Sequence, residues 1–270
     1  MNINMIYNED CMTTMSKMPD NFIDLVVTSP PYDALRTYSD GCEKLAWNFK
    51  IFTQIASELY RVMKEGGVVV WVVGDQTIKG DETGTSFRQA LFFKEIGFLL
   101  HDTMIYHKTG GSMPTPKRYL ACFEYMFVFS KCKPPTTYNL LNDRENRWKN
   151  RWGKDGGKRI ANGEIRSKTP YKIEPFGRRF NVWQYHGGYG YGTKDNVAYQ
   201  HPAIFPEHLA GDHILSWSNE GDCVYDPFMG SGTTAKMALI YRRKFIGSEI
   251  NAVYCQLAEK RLAEYRNLLF

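Results

Sequence analysis

The chain alternates short, fully apolar runs with longer stretches in which apolar residues repeat at helical spacing. Ile23–Val27 and Val68–Val73 are short runs rich in β-branched residues, which predicts strands covered on both faces. Between them, Phe49–Lys64 has one apolar stripe and is predicted to form a helix that ends at Gly66–Gly67. The stripe consists of Phe52, Ile55, Ala56, Leu59 and Met63. Strand, helix and strand in this order indicate an α/β unit.

Weaker patterns extend the same alternation through the rest of the chain. Further strands are expected at residues 1–7, 99–107, 124–130, 223–225 and 244–249, of which the second and third form a hairpin-like pair. Further helices are expected at about residues 13–18, 86–96, 206–213, 234–242 and 252–269. The predicted fold class is therefore α/β, with a doubly wound, mostly parallel sheet and an inserted region.

A rigid polar turn follows the first apolar strand. Thr28-Ser-Pro-Pro-Tyr32 ends that strand, because neither proline can donate to a sheet ladder, and open α/β sheets place ligands at this end of their strands. The turn supplies a side-chain acceptor at Ser29, a carbonyl acceptor at Pro30 and an aromatic face at Tyr32. These groups suit a flat ring that carries an exocyclic amine. Taken alone, the five residues fit a proline-stiffened loop equally well.

A second turn, near the C-terminus, has the pattern of a nucleoside site. Asp226-Pro-Phe-Met-Gly-Ser-Gly-Thr-Thr234 joins a short strand to a helix, and Glu249 follows at the end of the next strand, where a ribose-binding carboxylate is usual. A phosphate-binding loop would need lysine directly after the last glycine, but Lys236 stands four residues after Gly232. A dinucleotide site would need a third glycine. The acid that precedes the glycines favours a ligand with an amino group.

Composition limits the cellular setting and the chemistry. At 270 residues with 43% hydrophobic side chains, the chain is long enough for one α/β domain with an insert. No apolar run reaches the length of a membrane span and no signal-peptide pattern opens the chain, so a cytoplasmic protein is expected. The six cysteines form no CxxC pair, and His208 and His213 have no acidic cluster beside them, so no metal site is expected.

The net charge of +5 is unevenly distributed along the chain. Lys131–Gln200 contains 15 Lys and Arg but only six Asp and Glu, so this segment carries +9 and the remainder −4. Nine aromatic residues lie between Trp148 and Tyr191, a mixture unusual for a passive linker and common where bases and sugars are contacted. The segment therefore predicts a nucleic-acid surface. The cations expected to contact DNA are Lys108, Lys117, Arg151, Arg178 and Arg179.

The two turns together resemble the amino-methyltransferase family of DNA methylases in its β arrangement. In that arrangement the catalytic motif comes first, a target-recognition region lies in the middle, and the cofactor motif comes near the C-terminus. The resemblance extends over most of the chain and is weakest in the basic segment. The other matching stretches are Asn8–Cys11, Glu58–Gly67, Glu124–Lys131 and His201–Pro206. It implies a Rossmann-like core in three parts: 1–131 (catalytic half), 132–198 (target recognition) and 199–270 (cofactor-binding half).

The resemblance also implies roles for individual residues. The cofactor would be S-adenosylmethionine, with its amino group near Asp226 and its ribose on Glu249. The target base would be flipped out of double-stranded DNA and stacked on Tyr32, with its amine held by Ser29 and the Pro30 carbonyl. The residues expected at the catalytic turn are Ser29, Pro30, Pro31 and Tyr32. Those expected at the cofactor are Asp10, Cys11, His201, Pro202, Ala203, Asp226, Phe228, Gly230, Ser231, Gly232, Thr233 and Glu249.

The expected modified atom is cytosine N4 rather than adenine N6. In the family that the chain resembles, serine at the first position of the catalytic motif goes more often with cytosine, and aspartate mostly with adenine. Two alternatives stay open: a methyltransferase for RNA or protein amines, which share the polar-Pro-Pro-Tyr turn, and a nucleic-acid-binding relative with an inactive core. The family further suggests a homodimer and a cognate restriction nuclease that acts separately.

Overall fold

The structure is a computed structural model, and it describes residues 1–31, 47–110, 117–153, 158–159, 161–166, 171–186 and 190–266. Strands and helices alternate through these ranges. The strands are β1 (Met5–Tyr7), β2 (Ile23–Thr28), β3 (Met63–Val73), β4 (Thr77–Ile78), β5 (Asp81–Glu82), β6 (Phe98–Lys108), β7 (Phe123–Lys131), β8 (Arg144–Glu145), β9 (Trp152–Gly153), β10 (Lys158–Arg159), β11 (Ile165–Arg166), β12 (Tyr171–Lys172), β13 (Phe176–Gly177), β14 (Val182–Tyr185), β15 (Cys223–Asp226) and β16 (Lys244–Ser248). The α-helices are α1 (Cys11–Ser16), α2 (Phe49–Val62), α3 (Thr85–Glu95), α4 (Glu207–Trp217), α5 (Thr233–Ile240) and α6 (Ala252–Leu262).

Eight strands form one mixed sheet in the order β1-β16-β15-β2-β3-β7-β6-β14. The pairs from β1 to β3 are all parallel, and so is the pair of β6 with β14. The pairs of β3 with β7 and of β7 with β6 are antiparallel. The predicted α/β class with a mostly parallel sheet is confirmed, as is the hairpin-like pair that became β6 and β7.

Helix α2 buries the predicted apolar stripe but ends earlier than expected. Phe52, Ile55, Ala56 and Leu59 are buried, and Val62 completes the stripe. The prediction that Gly66–Gly67 end the helix is wrong, because β3 already begins at Met63 and contains both glycines. Buried Lys131 explains the early end, since its Nζ donates to the carbonyl oxygens of Met63 at 2.9 Å and Arg61 at 3.4 Å.

Other boundaries also differ from the prediction. Helix α1 begins at Cys11 because the Asp10 side chain caps it, accepting from the Met12 backbone N–H at 2.7 Å. Helix α4 runs on to Trp217 rather than ending near residue 213. Helix α6 ends at Leu262 rather than 269, and the turn that follows brings the Tyr265 ring under the Lys236 ammonium, 4.7 Å from the ring centroid. Residues 267–270 lie outside the described part of the chain.

The described chain forms two compact units. The larger comprises Met1–Asn139 and Asn181–Phe270 and contains the eight-stranded sheet with its helices. The smaller, Leu140–Phe180, is a succession of antiparallel two-residue pairs, β8 with β13, β9 with β12 and β10 with β11. It lies within the predicted recognition region 132–198, whose two ends belong to the larger unit. None of the helices in the described ranges is both long and apolar enough to cross a membrane.

Candidate functional site

The two predicted turns leave neighbouring parallel strands of the sheet. β2 ends at Thr28 and β15 at Asp226, and the strands pair in register through Leu25 and Val224. The Thr28 hydroxyl donates a hydrogen bond of 2.6 Å to Asp226 Oδ1, 198 residues away in the chain. Thr234 Oγ1, beyond the glycines, donates to the Val27 carbonyl at 3.2 Å. The sheet therefore places the two turns side by side, and two hydrogen bonds tie them together.

The turn predicted to be catalytic is described as far as Pro31. Ser29 and Pro31 are half-buried and Pro30 is buried, directly beyond the carboxyl end of β2. The prediction for Tyr32 falls outside the described residues. The acceptor oxygens of Ser29 and Pro30 thus lie at the edge of the sheet where ligands bind in open α/β folds.

Asp226 is a buried carboxylate that organises the glycine turn that follows it. It is 5% exposed, and its Oδ1 accepts from the Phe228 backbone N–H at 3.0 Å as well as from Thr28. Burial raises the pKa of Asp226, while hydrogen bonds from Thr28, Phe228 and Thr234 act in the opposite direction. The carboxylate therefore links the end of β15, the start of the glycine turn and the end of β2.

The glycine turn is held closely on two sides. Gly230 and Gly232 have φ of +52° and +82°, a region that other residues rarely adopt. A Cβ on Gly232 would lie 2.9 Å from the Ala258 Cβ of α6, and one on Gly230 would lie 3.0 Å from His201 Nε2. Backbone without side chains is therefore required here, as expected where a ligand and a helix both approach the chain closely.

Glu249 follows β16 and completes the turn. Its Oε2 accepts from the Gly230 backbone N–H at 2.8 Å, and its Oε1 accepts from the Asn251 N–H at 2.8 Å. Burial raises the pKa of Glu249, and the nearby Asp226 charge adds a smaller effect in the same direction. Each carboxylate oxygen has a second lone pair, so Glu249 keeps acceptor capacity for hydroxyl groups.

The early motif lies beside Glu249. Asn8 Nδ2 donates to the Glu249 carbonyl at 2.8 Å, which brings the loop after β1 close to the glycine turn. Asp10 is exposed, and one of its oxygens is used to cap α1. Cys11 is buried in the core, and burial together with the Asp10 charge raises its thiol pKa to about 12. The Cys11 thiol is therefore protonated at neutral pH and serves packing.

The segment around His201 packs on the other side of the turn. The His201 ring is 8% exposed and lies edge-on to Tyr254, with ring centroids 4.4 Å apart. Its Nδ1 is 3.1 Å from the Ala203 backbone nitrogen, which holds the ring in place. Pro202, between them, is exposed. Phe228 extends from the turn toward Trp47 and Trp71, with ring centroids 5.4 and 6.2 Å away.

The cations predicted to contact DNA differ in their surroundings. In the larger unit, Lys108 pairs with Glu124, whereas Lys117 is exposed. In the smaller unit, Arg178 and Arg151 are exposed, and the Arg151 guanidinium lies 5.2 Å from the Trp148 ring centroid. Arg179 pairs with Asp143, and its hydrogen bonds lower the pKa of that carboxyl.

Sequence reasoning missed a group of buried charges behind the glycine turn. Lys236 and Arg261 are both nearly fully buried, and Ser231 and Thr233 of the turn accept hydrogen bonds from Arg261. A signal was present, since Lys236 stands alone among the apolar residues of α5. Among the described residues, no group of three or more His, Cys, Asp or Glu is placed to hold a metal ion.

Comparison with known proteins agrees with this geometry. A family model described as DNA methylase, of the N6/N4 type, matches residues 23–260, so the chain belongs to this family of DNA methyltransferases. S-adenosylmethionine is the methyl donor of the family. The chain is 58% identical over 250 residues to the orphan methyltransferase M.BamHII of Bacillus amyloliquefaciens, with 91% of each chain covered.

Two solved structures share the fold. The cytosine-N4-specific PvuII DNA methyltransferase superposes with a TM-score of 0.68 at 22% identity, covering 98% of this chain and 92% of that one. TTHA0409 of Thermus thermophilus, a DNA modification methylase complexed with S-adenosyl-L-methionine, gives a TM-score of 0.62 at 23% identity, covering 97% and 93%. At these identities, both structures have the same fold as this chain.

Proposed function

We propose that this DNA methyltransferase transfers a methyl group to an exocyclic amine of a flipped base, with cytosine N4 as the target. One observation carries the proposal. The Thr28–Asp226 hydrogen bond of 2.6 Å joins the end of the strand that leads into the Ser29–Pro31 turn to the start of the glycine turn. An amine held at the first turn and a cofactor held at the second would therefore be neighbours, which is the main requirement for a direct transfer.

The glycine turn fits S-adenosylmethionine. Gly230 and Gly232 let the turn adopt positive φ and expose backbone without side chains to a ligand, and Glu249 retains acceptor capacity suited to ribose hydroxyls. We assign contacts with the cofactor to the turn from Asp226 to Thr233, to Glu249 and to the loops at Asp10 and His201. When bound, S-adenosylmethionine supplies an electrophilic methyl group on a sulfonium.

The catalytic turn acts on the amine without a covalent intermediate. The Ser29 hydroxyl and the Pro30 carbonyl accept the two N–H groups of the amine, which turns the nitrogen lone pair away from the ring and toward the methyl group. Pro30 and Pro31 keep the turn rigid, and Tyr32 is assigned to stack on the base. Because these acceptors are partly or fully buried, a base inside a duplex cannot reach them and must be flipped out.

The preference for cytosine depends on Ser29. The neutral hydroxyl of serine both accepts and donates, whereas aspartate is a stronger, charged acceptor, and in the family serine at this position goes more often with cytosine. Contacts with DNA phosphates are assigned to the exposed cations of Leu140–Phe180 and to Lys117. A homodimer, a separately acting restriction nuclease and a cytoplasmic location stay predictions.

The experiment measures methyl transfer from labelled S-adenosylmethionine to unmethylated duplex DNA. Ser29→Ala is expected to lower kcat about 100-fold, as for loss of one group that stabilises a transition state, with the Kd for the cofactor unchanged. Ser16→Ala is the matched control, because Ser16 is exposed on α1. Transfer of the label to an RNA of the same sequence would contradict the proposal. Binding of the cofactor without transfer of the label to any DNA would contradict it as well.

A further inference from the structure

Four charged side chains meet behind the glycine turn, two cations and two carboxylates. Lys236 and Arg261 have side chains only 5% and 1% exposed, and those of Asp195 and Glu207 are 18% and 17% exposed. Lys236 Nζ lies 2.8 Å from Asp195 Oδ2 and 2.7 Å from Glu207 Oε1. Arg261 Nε lies 2.6 Å from Asp195 Oδ2, and its terminal nitrogen pairs with Glu207. Each cation therefore contacts both carboxylates of this charge cluster.

Stability alone does not account for such a cluster. Removing four charges from water is unfavourable, and well-packed apolar residues often serve as well or better in their place. Burial lowers the pKa of Lys236, but hydrogen bonds to both carboxylates outweigh it and the net shift is upward, which favours the charged ammonium. Burial raises the pKa of Asp195, but hydrogen bonds from Arg261 and Lys236 outweigh it and the net shift is downward. A buried cluster that stays ionised fixes the relative positions of the elements that contribute to it.

Arg261 connects the charge cluster to the glycine turn. Its second terminal nitrogen donates to the Ser231 carbonyl at 3.0 Å and to Thr233 Oγ1 at 2.9 Å. Ser231 lies between Gly230 and Gly232, two glycines at positive φ that have no side chains of their own to anchor the turn. The fork of the guanidinium is suited to this task, because it reaches the turn and both carboxylates at once, which an ammonium cannot do.

The carboxylates belong to the segment on the opposite side of the turn. Asp195 and Glu207 stand before and after His201, whose ring packs against Gly230. Thr193 strengthens the link, since its hydroxyl accepts from Arg261 at 3.2 Å and donates to Glu207. Arg261 of α6 thus holds both the turn and the segment Thr193–Glu207 that covers it.

We propose that Arg261 is a positioning residue for the cofactor: it sets the glycine turn against the segment Thr193–Glu207. The inference rests on the proposed cofactor site at Gly230–Gly232. Arg261 itself does not contact reacting atoms, and it acts through the Ser231 carbonyl and the two carboxylates. Because Arg261 sets the shape of the cofactor turn, it affects the affinity for the cofactor and has little effect on the rate of transfer once the cofactor is bound.

The test compares two substitutions in the charge cluster. Arg261→Lys keeps the positive charge but loses the forked guanidinium. The single ammonium of lysine cannot reach both the turn and the carboxylates, so one of these contacts is lost. Lys236→Met removes a charge from the same cluster at similar volume, and the Lys236 ammonium is held by the two carboxylates rather than by the turn. Calorimetry gives the Kd for S-adenosylmethionine, urea unfolding gives stability, and steady-state kinetics separates KM for the cofactor from kcat.

Arg261→Lys is expected to weaken cofactor binding at least tenfold, with kcat at saturating cofactor within about threefold of the wild type. Lys236→Met is expected to weaken binding less than threefold, even where it lowers stability more. Equal losses of affinity in the two variants, or losses that follow unfolding stability, would overturn the inference. Where Lys236→Met fails to fold, Lys236→Gln takes its place, because it also removes this charge from the cluster while leaving both carboxylates and the turn to Arg261.

The wild-type measurement separates this inference from the proposed function. If the wild-type protein does not bind S-adenosylmethionine, the proposed cofactor site itself is wrong. If the wild type binds it and Arg261→Lys binds equally well, the cofactor site stands and the role of Arg261 is wrong.

Discussion

The hydroxyl of Thr28 is the smallest feature on which the site depends. It is fully buried and donates to a carboxylate that is buried as well. The sequence predicted ligand-binding turns at Ser29 and at Asp226, but it did not show that Thr28 would join them. Strand order decides that contact, and the adjacency of β2 and β15 cannot be read from either motif alone.

Thr28→Val keeps the shape of the side chain and removes the donor. The Asp226 carboxylate would lose a charge-assisted hydrogen bond, so the unfolding free energy is expected to fall by about 1.5–3 kcal/mol. Thr28→Ser keeps the hydroxyl and loses one methyl group, at about 1 kcal/mol. Urea unfolding of both variants checks this. A smaller loss in the valine variant than in the serine variant would contradict the role of the hydroxyl.

The raised pKa of Glu249 predicts that cofactor binding depends on pH. Its pKa is raised above the ordinary value of 4.5 by burial, and the ionised form accepts hydrogen bonds best. Cofactor affinity should therefore be full above that raised pKa and fall as pH decreases through it. Stability responds with the opposite sign, because a raised carboxyl pKa contributes stability at low pH that is lost as pH rises.

Calorimetry of S-adenosylmethionine binding between acidic and neutral pH measures this dependence. Glu249→Gln is the control, since its affinity should be lower at neutral pH and should lack this dependence. A wild-type affinity that does not change with pH would contradict the assigned role of Glu249.

At the scale of elements, the sequence predicted nearly all the strands of the eight-stranded sheet and the helices of the larger unit, but not all of their ends. Apolar runs and stripes mark the surfaces that an element buries, and β2, β3 and α2 do bury the surfaces that their patterns predict. Helix ends depend on partners far away in the chain, such as Lys131 at the end of α2, and a local pattern does not contain them. In α6 the buried face passes through Leu257 and Leu262, whereas Val253 in its first turn is 61% exposed.

Gly232→Ala tests the packing of α6 on the glycine turn. The substitution forces a side chain into positive φ and sets its Cβ 2.9 Å from Ala258 Cβ. A loss of about 2–4 kcal/mol in unfolding free energy is expected, from strain and overpacking together.

Gly221→Ala is the matched control for that substitution. Gly221 has a similar φ of +85°, but no atom of the described residues lies within 4 Å of the position of its Cβ. It should lose about 1 kcal/mol, from backbone strain alone. Cofactor affinity should fall in Gly232→Ala and stay unchanged in Gly221→Ala. Equal effects on stability in the two variants would contradict the close contact with α6.

At the scale of the whole molecule, the smaller unit differs from the rest in charge, because it lies within the cation-rich part of the chain. The sequence showed the excess of cations between Lys131 and Gln200. It did not show which of them have partners within the protein. Arg179 and Lys149 are paired with Asp143 and Glu145, whereas Arg178 is exposed and its carbonyl accepts from Arg144. Exposed cations whose charge is not already paired are those best suited to DNA phosphates.

Arg178→Ala is therefore expected to flatten the salt dependence of DNA binding. The slope of log affinity against log salt should decrease in magnitude by about 0.9, the effect of one phosphate contact. Lys17→Ala changes the net charge equally, but Lys17 follows α1 and pairs with Glu9, so its slope should match the wild type. Fluorescence anisotropy over a range of salt gives both slopes. Identical slopes in Arg178→Ala and the wild type would remove Arg178 from the DNA surface.

The product of the reaction tests the central claim most directly. The protein is incubated with unmethylated duplex DNA and labelled S-adenosylmethionine, the DNA is digested to nucleosides, and the labelled nucleoside is identified by mass. The account built on Ser29, Pro30 and the Thr28–Asp226 hydrogen bond predicts N4-methylcytosine. N6-methyladenine would overturn the choice of base and leave the amine chemistry in place. Label in 5-methylcytosine, or in no nucleoside, would contradict the account.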